Sequence, residues 1–218
     1  LTINVGNSEY SSWRNSLGNA MFHVINDQAI PSDAGIAIEY RLNGRRFRID
    51  FMIAGSDNNG AARVLIIELK QWTEVQESPT ANHVLTYMGG GLREEPHPSY
   101  QAWSYQSHLE LYNEYIYTSQ VKVDSCAYLH NCVESGVISG SAYEELLSKS
   151  QVFIKGDHGK LREMIKSQIL KGGGIPILKQ IDQSPIRPSQ QLADAVVNML
   201  DGIHELVLLD EQKTDYEK

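Results

Sequence analysis

The stretch Val64-Leu65-Ile66-Ile67-Glu68-Leu69-Lys70 decides how this chain folds. Its apolar run leaves no polar face, as expected of a strand in the middle of a sheet with cover on both sides. Charge enters only at the end, where Glu68 and Lys70 stand two residues apart and so project from one face. Upstream, Ile36, Ile38, Tyr40 and Leu42 alternate with Glu39 and Arg41, and Asn43-Gly44 is a two-residue hairpin signal. The return strand places Phe47, Ile49 and Phe51 between Arg46, Arg48 and Asp50. With the second and third strands as antiparallel neighbours, Asp50 and Glu68 converge on one point.

The rest of the chain supplies the cover. Trp13, Leu17, Ala20, Met21, Val24 and Ile25 recur at helical spacing and predict an amphipathic helix over 11–27, broken by Pro31 to Gly35. Residues 76–98, with Gly89-Gly90-Gly91 and Pro96-His97-Pro98, read as a long loop or insertion. Ser99 is placed to cap a helix over 99–116. Strands follow at 121–129 and 151–155 with a short helix at 141–149 between them, then helices at 158–170, ending at Gly172-Gly173-Gly174, and at 189–201. This order predicts an α/β fold, a central mixed β-sheet flanked by helices.

Composition narrows the function. The 218 residues carry 19 Lys+Arg against 27 Asp+Glu, a net charge of −8, which by itself speaks against a phosphate-rich partner. The 41% hydrophobic and 21% charged content is that of a folded chain rather than a disordered one. No apolar run approaches the ~20 residues of a membrane span. The two cysteines, Cys126 and Cys132, match no zinc spacing and exclude a disulfide framework, which favours a reducing cytosol. Gly156-Asp157-His158-Gly159-Lys160-Leu161 is the nearest approach to a P-loop and lacks its hydroxyl, so ATP hydrolysis of that kind is not expected here. The start at Leu1 suggests a processed chain or a fragment.

Chemistry concentrates at the end of the central run. Two hard carboxylates, Asp50 and Glu68, suit Mg²⁺, with Mn²⁺ as a substitute, and such an ion activates water and clamps a phosphodiester oxygen. Lys70 can orient the water or neutralise charge developing on the phosphate. Arg41, Arg45, Arg46 and Arg48 can track a phosphate backbone, or form a solvated, salt-bridged hairpin. His97 can approach substrate or serve structure alone. Trp72 can stack on a base or pack under the 76–98 segment.

Arg48-Ile49-Asp50-Phe51 followed by Ile66-Ile67-Glu68-Leu69-Lys70-Gln71-Trp72 resembles the PD-(D/E)XK nuclease superfamily. Gln101-Ala102-Trp103-Ser104-Tyr105 is similar to the Q-x-x-x-Y pattern of its RecB-like branch, which implies that Gln101 supports the site and that Tyr105 positions Lys70 or substrate, against the alternative of a helix that only packs on the sheet. The acidic residue that many members take from their first helix has no clear counterpart here. Glu39 is the substitute, as metal ligand or supporting group, against the alternative of a plain ion pair with Arg48. Further stretches, among them Ile38-Glu39-Tyr40, His97-Pro98-Ser99-Tyr100-Gln101 and Pro188-Ser189-Gln190-Gln191-Leu192, look like the N-terminal region of bacterial Schlafen-like DNA/RNA helicases.

That resemblance implies a restriction-endonuclease-like core over 1–178 and a helical linker over 179–218 leading to a covalently linked helicase motor. It also implies a Mg²⁺-dependent deoxyribonuclease with catalytic Asp50, Glu68, Lys70 and Gln101 and with Tyr105 toward the substrate; Arg46, Arg48 and His97 are further substrate-side candidates, and a cytoplasmic location is expected. DNA is the expected partner and RNA the alternative; no membrane is involved. A catalytically inactive module that binds nucleic acid or docks on the helicase is the competing expectation.

Overall fold

The computed structural model describes residues 18, 20–41, 48–134 and 136–188. The expected hairpin turn at 42–47 lies outside these residues, together with Arg45 and Arg46, the first part of the 11–27 helix and everything from 189 onward. In chain order the elements are α1 (Phe22–Ile25), β1 (Gly35–Arg41), β2 (Arg48–Ser56), β3 (Ala62–Lys70), β4 (Gln76–Glu77), β5 (His83–Met88), β6 (Gly91–Pro96), α2 (Pro98–Tyr112), α3 (Glu114–Thr118), β7 (Lys122–Leu129), α4 (Glu144–Lys149), β8 (Gln151–Ile154), α5 (His158–Gln168) and α6 (Gly174–Gln183).

Five strands form one mixed sheet in the order β1-β2-β3-β7-β8. The β1–β2 and β2–β3 pairs are antiparallel, whereas β3–β7 and β7–β8 are parallel, so β3 is the strand where pairing changes sense. The apolar run of β3 is covered on both faces, as its composition demanded. Val64 and Ile66 meet α2 and α6 through Leu109, Ile177 and Ile181, and Leu65, Ile67 and Leu69 meet α1 and α5 through Val24, Leu161 and Ile165. The fold is therefore α/β with a central mixed sheet flanked by helices. Among the described residues no helix is long and apolar enough to cross a membrane.

Four local expectations are corrected. Residues 76–98 are not a plain loop: β4, β5 and β6 make a separate three-stranded antiparallel sheet. It seats Val84 on a third core cluster with Trp72, Leu129, Ile138 and Tyr143. Its outer positions are charged or exposed, Tyr87 and Leu92 among them, which left little periodic signal in the sequence.

The cap of α2 is His97 rather than Ser99; the imidazole Nδ1 accepts the Ser99 backbone N–H. Strand β1 does not bury its Ile face, since Ile36 and Ile38 are about half exposed, and Ala37 and Tyr40 pack inward instead. Gly172-Gly173-Gly174 is more than a helix stop, because Gly174 opens α6, an element the sequence pattern did not announce; position 178 falls inside it.

Helix α6 crosses β1 and β2 at backbone distance. A Cβ on Gly174 would land on the Ala54 carbonyl and the Gly35 amide, so only hydrogen fits there. Asp33 fixes the approach, its carboxylate accepting the Gly173 N–H at 2.9 Å and its carbonyl accepting the Gly174 N–H at 3.2 Å.

Candidate active site

The alternation of β3 sends Glu68 and Lys70 to the same side as Val64 and Ile66, the side covered by α2. Strand β2 delivers Asp50 one step beyond the ladder pair Phe51↔Ile67, directly across from Glu68. The two carboxyl groups are close enough that each bears on the other's ionisation. Asp50 Oδ2 also accepts the Leu69 backbone N–H at 2.9 Å, which locks it against the end of β3.

Glu68 is almost wholly buried, at 2% exposure. Its Oε1 accepts from Lys70 Nζ at 2.8 Å, while its Oε2 is buried with no donor in reach. Burial is the main cause that raises both acids. It pushes Glu68 up to about 7, with Lys70 pulling it down and Asp50 adding to the rise. Asp50 is raised as well, against the opposing pull of the Leu69 amide, Lys70 and Arg48. Two carboxyls in contact need a proton or a cation between them.

Helix α2 completes the cluster. Gln101 and Tyr105, one turn apart, share a face, and Gln101 Oε1 accepts from Lys70 Nζ at 2.9 Å. The Gln101 amide then donates to the Tyr105 hydroxyl at 2.8 Å. Burial first, and then the negative charge of Glu68, pushes the Tyr105 phenol up to about 12. A continuous chain Asp50, Glu68, Lys70, Gln101, Tyr105 thus runs from β2 across β3 to α2.

Of the two roles expected for Glu39, the ion pair with Arg48 is formed, on a backbone that departs from the strand. The β1–β2 ladder skips Glu39, passing from Ile38↔Phe51 to Tyr40↔Ile49, and its φ is +54°. Left-handed backbone is costly for a residue with a side chain. Side-chain phase breaks at the same place: Ala37 and Tyr40, and likewise Ile49 and Met52, pack on one face although three residues apart. Glu39 is ion-paired to Arg48, whose charge is also felt at Asp50 and Tyr105. Arg48 therefore borders the site with Glu39 engaged to it. Arg46 lies outside the described residues.

The site does not include His97. It is fully buried, with Nδ1 accepting the Ser99 amide and Nε2 at 3.0 Å from the Ile138 carbonyl. That pattern assigns the neutral ring with its proton on Nε2, and burial lowers its pKa accordingly. His97→Ala leaves a buried amide and a buried carbonyl unpaired. It is expected to cost about 2 kcal/mol in urea unfolding, with the Lys70–Gln101 contact intact.

Trp72, at 7% exposure, is a core residue under the small sheet, and its edge is not available to a base. Trp72 has a second role, absent from the expectations above: the indole face lies under the Lys70 ammonium, 5.3 Å from the ring centre. Its place two residues beyond Lys70, on the same side of an extended chain, was the available signal.

Among the described residues no group of three or more His, Cys, Asp or Glu side chains is placed to hold a metal ion. The pair Asp50–Glu68 nevertheless fits Mg²⁺, which takes one or two carboxylates and keeps much of its water. The undonated, buried Glu68 Oε2 beside a second carboxyl is the observation that makes the fit. No family model matches the chain, and neither a curated protein nor a solved structure does.

Proposed function

We propose that this chain is a metal-dependent nuclease domain of the PD-(D/E)XK type that hydrolyses DNA phosphodiester bonds, working in the cytoplasm beside a covalently linked helicase motor. One observation carries the reading: two carboxyls meet at the end of a central strand, one of them buried with an oxygen that no donor serves, and a lysine follows two residues on. Burying such a pair costs several kcal/mol unless a cation compensates, and a metal-dependent phosphodiesterase uses such a cation.

Asp50 and Glu68 are the residues that would hold Mg²⁺, or Mn²⁺ in its place. Bound there, the ion would supply a Lewis acid and would lower the pKa of a coordinated water. Asp50 is oriented for this by the Leu69 amide. Lys70 donates toward the attacking water or the phosphate oxygen on which charge develops, and Gln101 fixes the direction of its ammonium. Tyr105 holds Gln101 from behind. Arg48 meets a phosphate beside the scissile one, its guanidinium held by Glu39. In-line attack leaves a 5′-phosphate and a 3′-hydroxyl.

A plasmid or labelled oligonucleotide incubated with Mg²⁺ or Mn²⁺ tests this. Wild-type protein is expected to cut and EDTA to stop it, while Glu68→Ala and Lys70→Ala each lose at least about a hundredfold in rate. Equal cutting by all three proteins would refute the assignment.

The second reading, a nuclease-fold module that binds without cutting, is favoured by one feature. Lys70 is already paired with Glu68, so one of the two carboxyls is offset without a metal. In that case nucleic acid is retained on a gel, salt-sensitively, with no metal-dependent product.

A further inference from the structure

Lys70 is engaged on three sides: Nζ is 2.8 Å from Glu68 Oε1, 2.9 Å from Gln101 Oε1 and 5.3 Å from the centre of the Trp72 ring. The first two are hydrogen bonds that spend two of the ammonium's three N–H donors. The third is a cation over an aromatic face, within the range where the ring quadrupole attracts it, and more strongly where water is thinned. The Lys70 side chain is only 19% exposed.

The ring itself is not free to move. It is 7% exposed and packs with Val84, Leu129, Ile138 and Tyr143. Its Nε1–H donates to Met88 Sδ at 3.0 Å. Met88 is the last residue of β5, immediately before the left-handed pair Gly89-Gly90 that turns the chain into β6. Thr86, two residues back on the same face, is buried and donates to the Glu74 carbonyl at 2.9 Å, which ties β5 to the segment leaving β3. The small sheet thus grips the indole edge while the indole face meets the lysine.

We infer that Trp72 is a positioning residue for Lys70, and that the β4–β6 sheet, acting through Met88, is part of the machinery that holds this ammonium beside Glu68. Without the ring, the lysine keeps its two hydrogen-bond partners but loses the wall opposite them. The four-carbon stem then samples rotamers that turn Nζ toward solvent. The catalytic consequence rests on the nuclease reading above; the placement of the ammonium does not.

The two are separated by measuring both in the full chain. In protein labelled with ¹³C-lysine, the Lys70 ε-methylene signal is assigned by its disappearance in Lys70→Arg. It is expected to be displaced upfield by the indole ring current without metal or nucleic acid. Trp72→Leu should abolish that displacement, and Trp72→Phe should keep a smaller one. In cleavage assays Trp72→Leu should lower kcat at least tenfold with KM within about twofold, and Trp72→Phe should recover most of the loss. Should Trp72→Leu fail to fold, the Phe variant and Met88→Leu carry the same comparison, each with a reduced displacement and a reduced kcat. An undisplaced Lys70 signal in the wild type overturns the placement. A displaced signal lost in Trp72→Leu with kcat unchanged overturns the positioning role. A displaced signal in a protein that cuts nothing with Mg²⁺ or Mn²⁺ overturns the nuclease reading and leaves the placement standing.

Discussion

Glu68→Gln is expected to make the metal-free protein more stable at pH 8 while reducing cleavage by roughly a thousandfold or more. The stability gain follows from burial. A carboxyl whose folded pKa stands at about 7 against 4.5 unfolded holds its proton more tightly when folded. Its contribution is fully present below the unfolded value and is lost as pH rises through the folded one, so the loss accumulates between 4.5 and about 7. At 1.36 kcal/mol per unit the loss is on the order of 3 kcal/mol.

Gln keeps the shape, cannot ionise and can still accept from Lys70, whose pull is already contained in that value, so a net gain of about 1–3 kcal/mol at pH 8 is expected. For a chain of this size that is several degrees in Tm. His97 and His130 act in the opposite sense: burial lowers both, and their contributions are lost as pH falls below the ordinary 6.5. The informative quantity is therefore the wild-type minus variant difference in EDTA, in which the histidines cancel. It should be small at pH 4.5 and grow toward pH 8. Added Mn²⁺ should raise the Tm of the wild type at pH 8 and leave the variant unmoved. A variant less stable than wild type at pH 8 in EDTA would show that Glu68 is not the strained acid described here.

Gly174→Ala should have the largest purely structural effect. Its methyl would meet two backbone groups, the Ala54 carbonyl and the Gly35 amide, neither of which can rotate away. Relief requires α6 to lift from β1 and β2, exposing Ile177 and Ile181, which are nearly or fully buried against Met52 and Ala54. A loss of at least about 3 kcal/mol, or failure to accumulate folded protein, is the expected result. Gly159→Ala is the control: it lies in α5 with nothing near its missing Cβ, and is expected to gain about 0.5–1 kcal/mol. Urea unfolding of both, side by side, gives the comparison. Equal midpoints would remove the close crossing from the account.

How the site could be read from sequence depends on which rule was in force. The apolar run of β3 and the two-residue spacing of Glu68 and Lys70 obey strand alternation, and so does the pairing that brings Asp50 across from them. Gln101 and Tyr105 obey the helical repeat. These followed because each uses one regular period.

The left-handed backbone at Glu39 did not, since it shifts the side-chain phase of its strand and no pattern in the letters announces it. Helix α6 was hidden behind three glycines that read as a stop but serve as a crossing. The small sheet was hidden by its own exposure, with Arg93, Glu94 and Glu95 filling a strand that has no buried residue. His97 looked like chemistry because it is a histidine beside the candidate helix. Its role as a cap is set by the Ile138 carbonyl, 41 residues away in the chain.

The contact between Gly35 and Gly174 also has a bearing on when the domain can form. The first three strands of the sheet are complete at Lys70, yet α6, which covers Ala37 and Met52, begins about a hundred residues later. At synthesis rates of about 5–20 residues per second, that face waits roughly 5–20 s for its cover. A ribosome paused late in this interval leaves Ala37 and Met52 without the cover of α6, the state in which holding chaperones would find it.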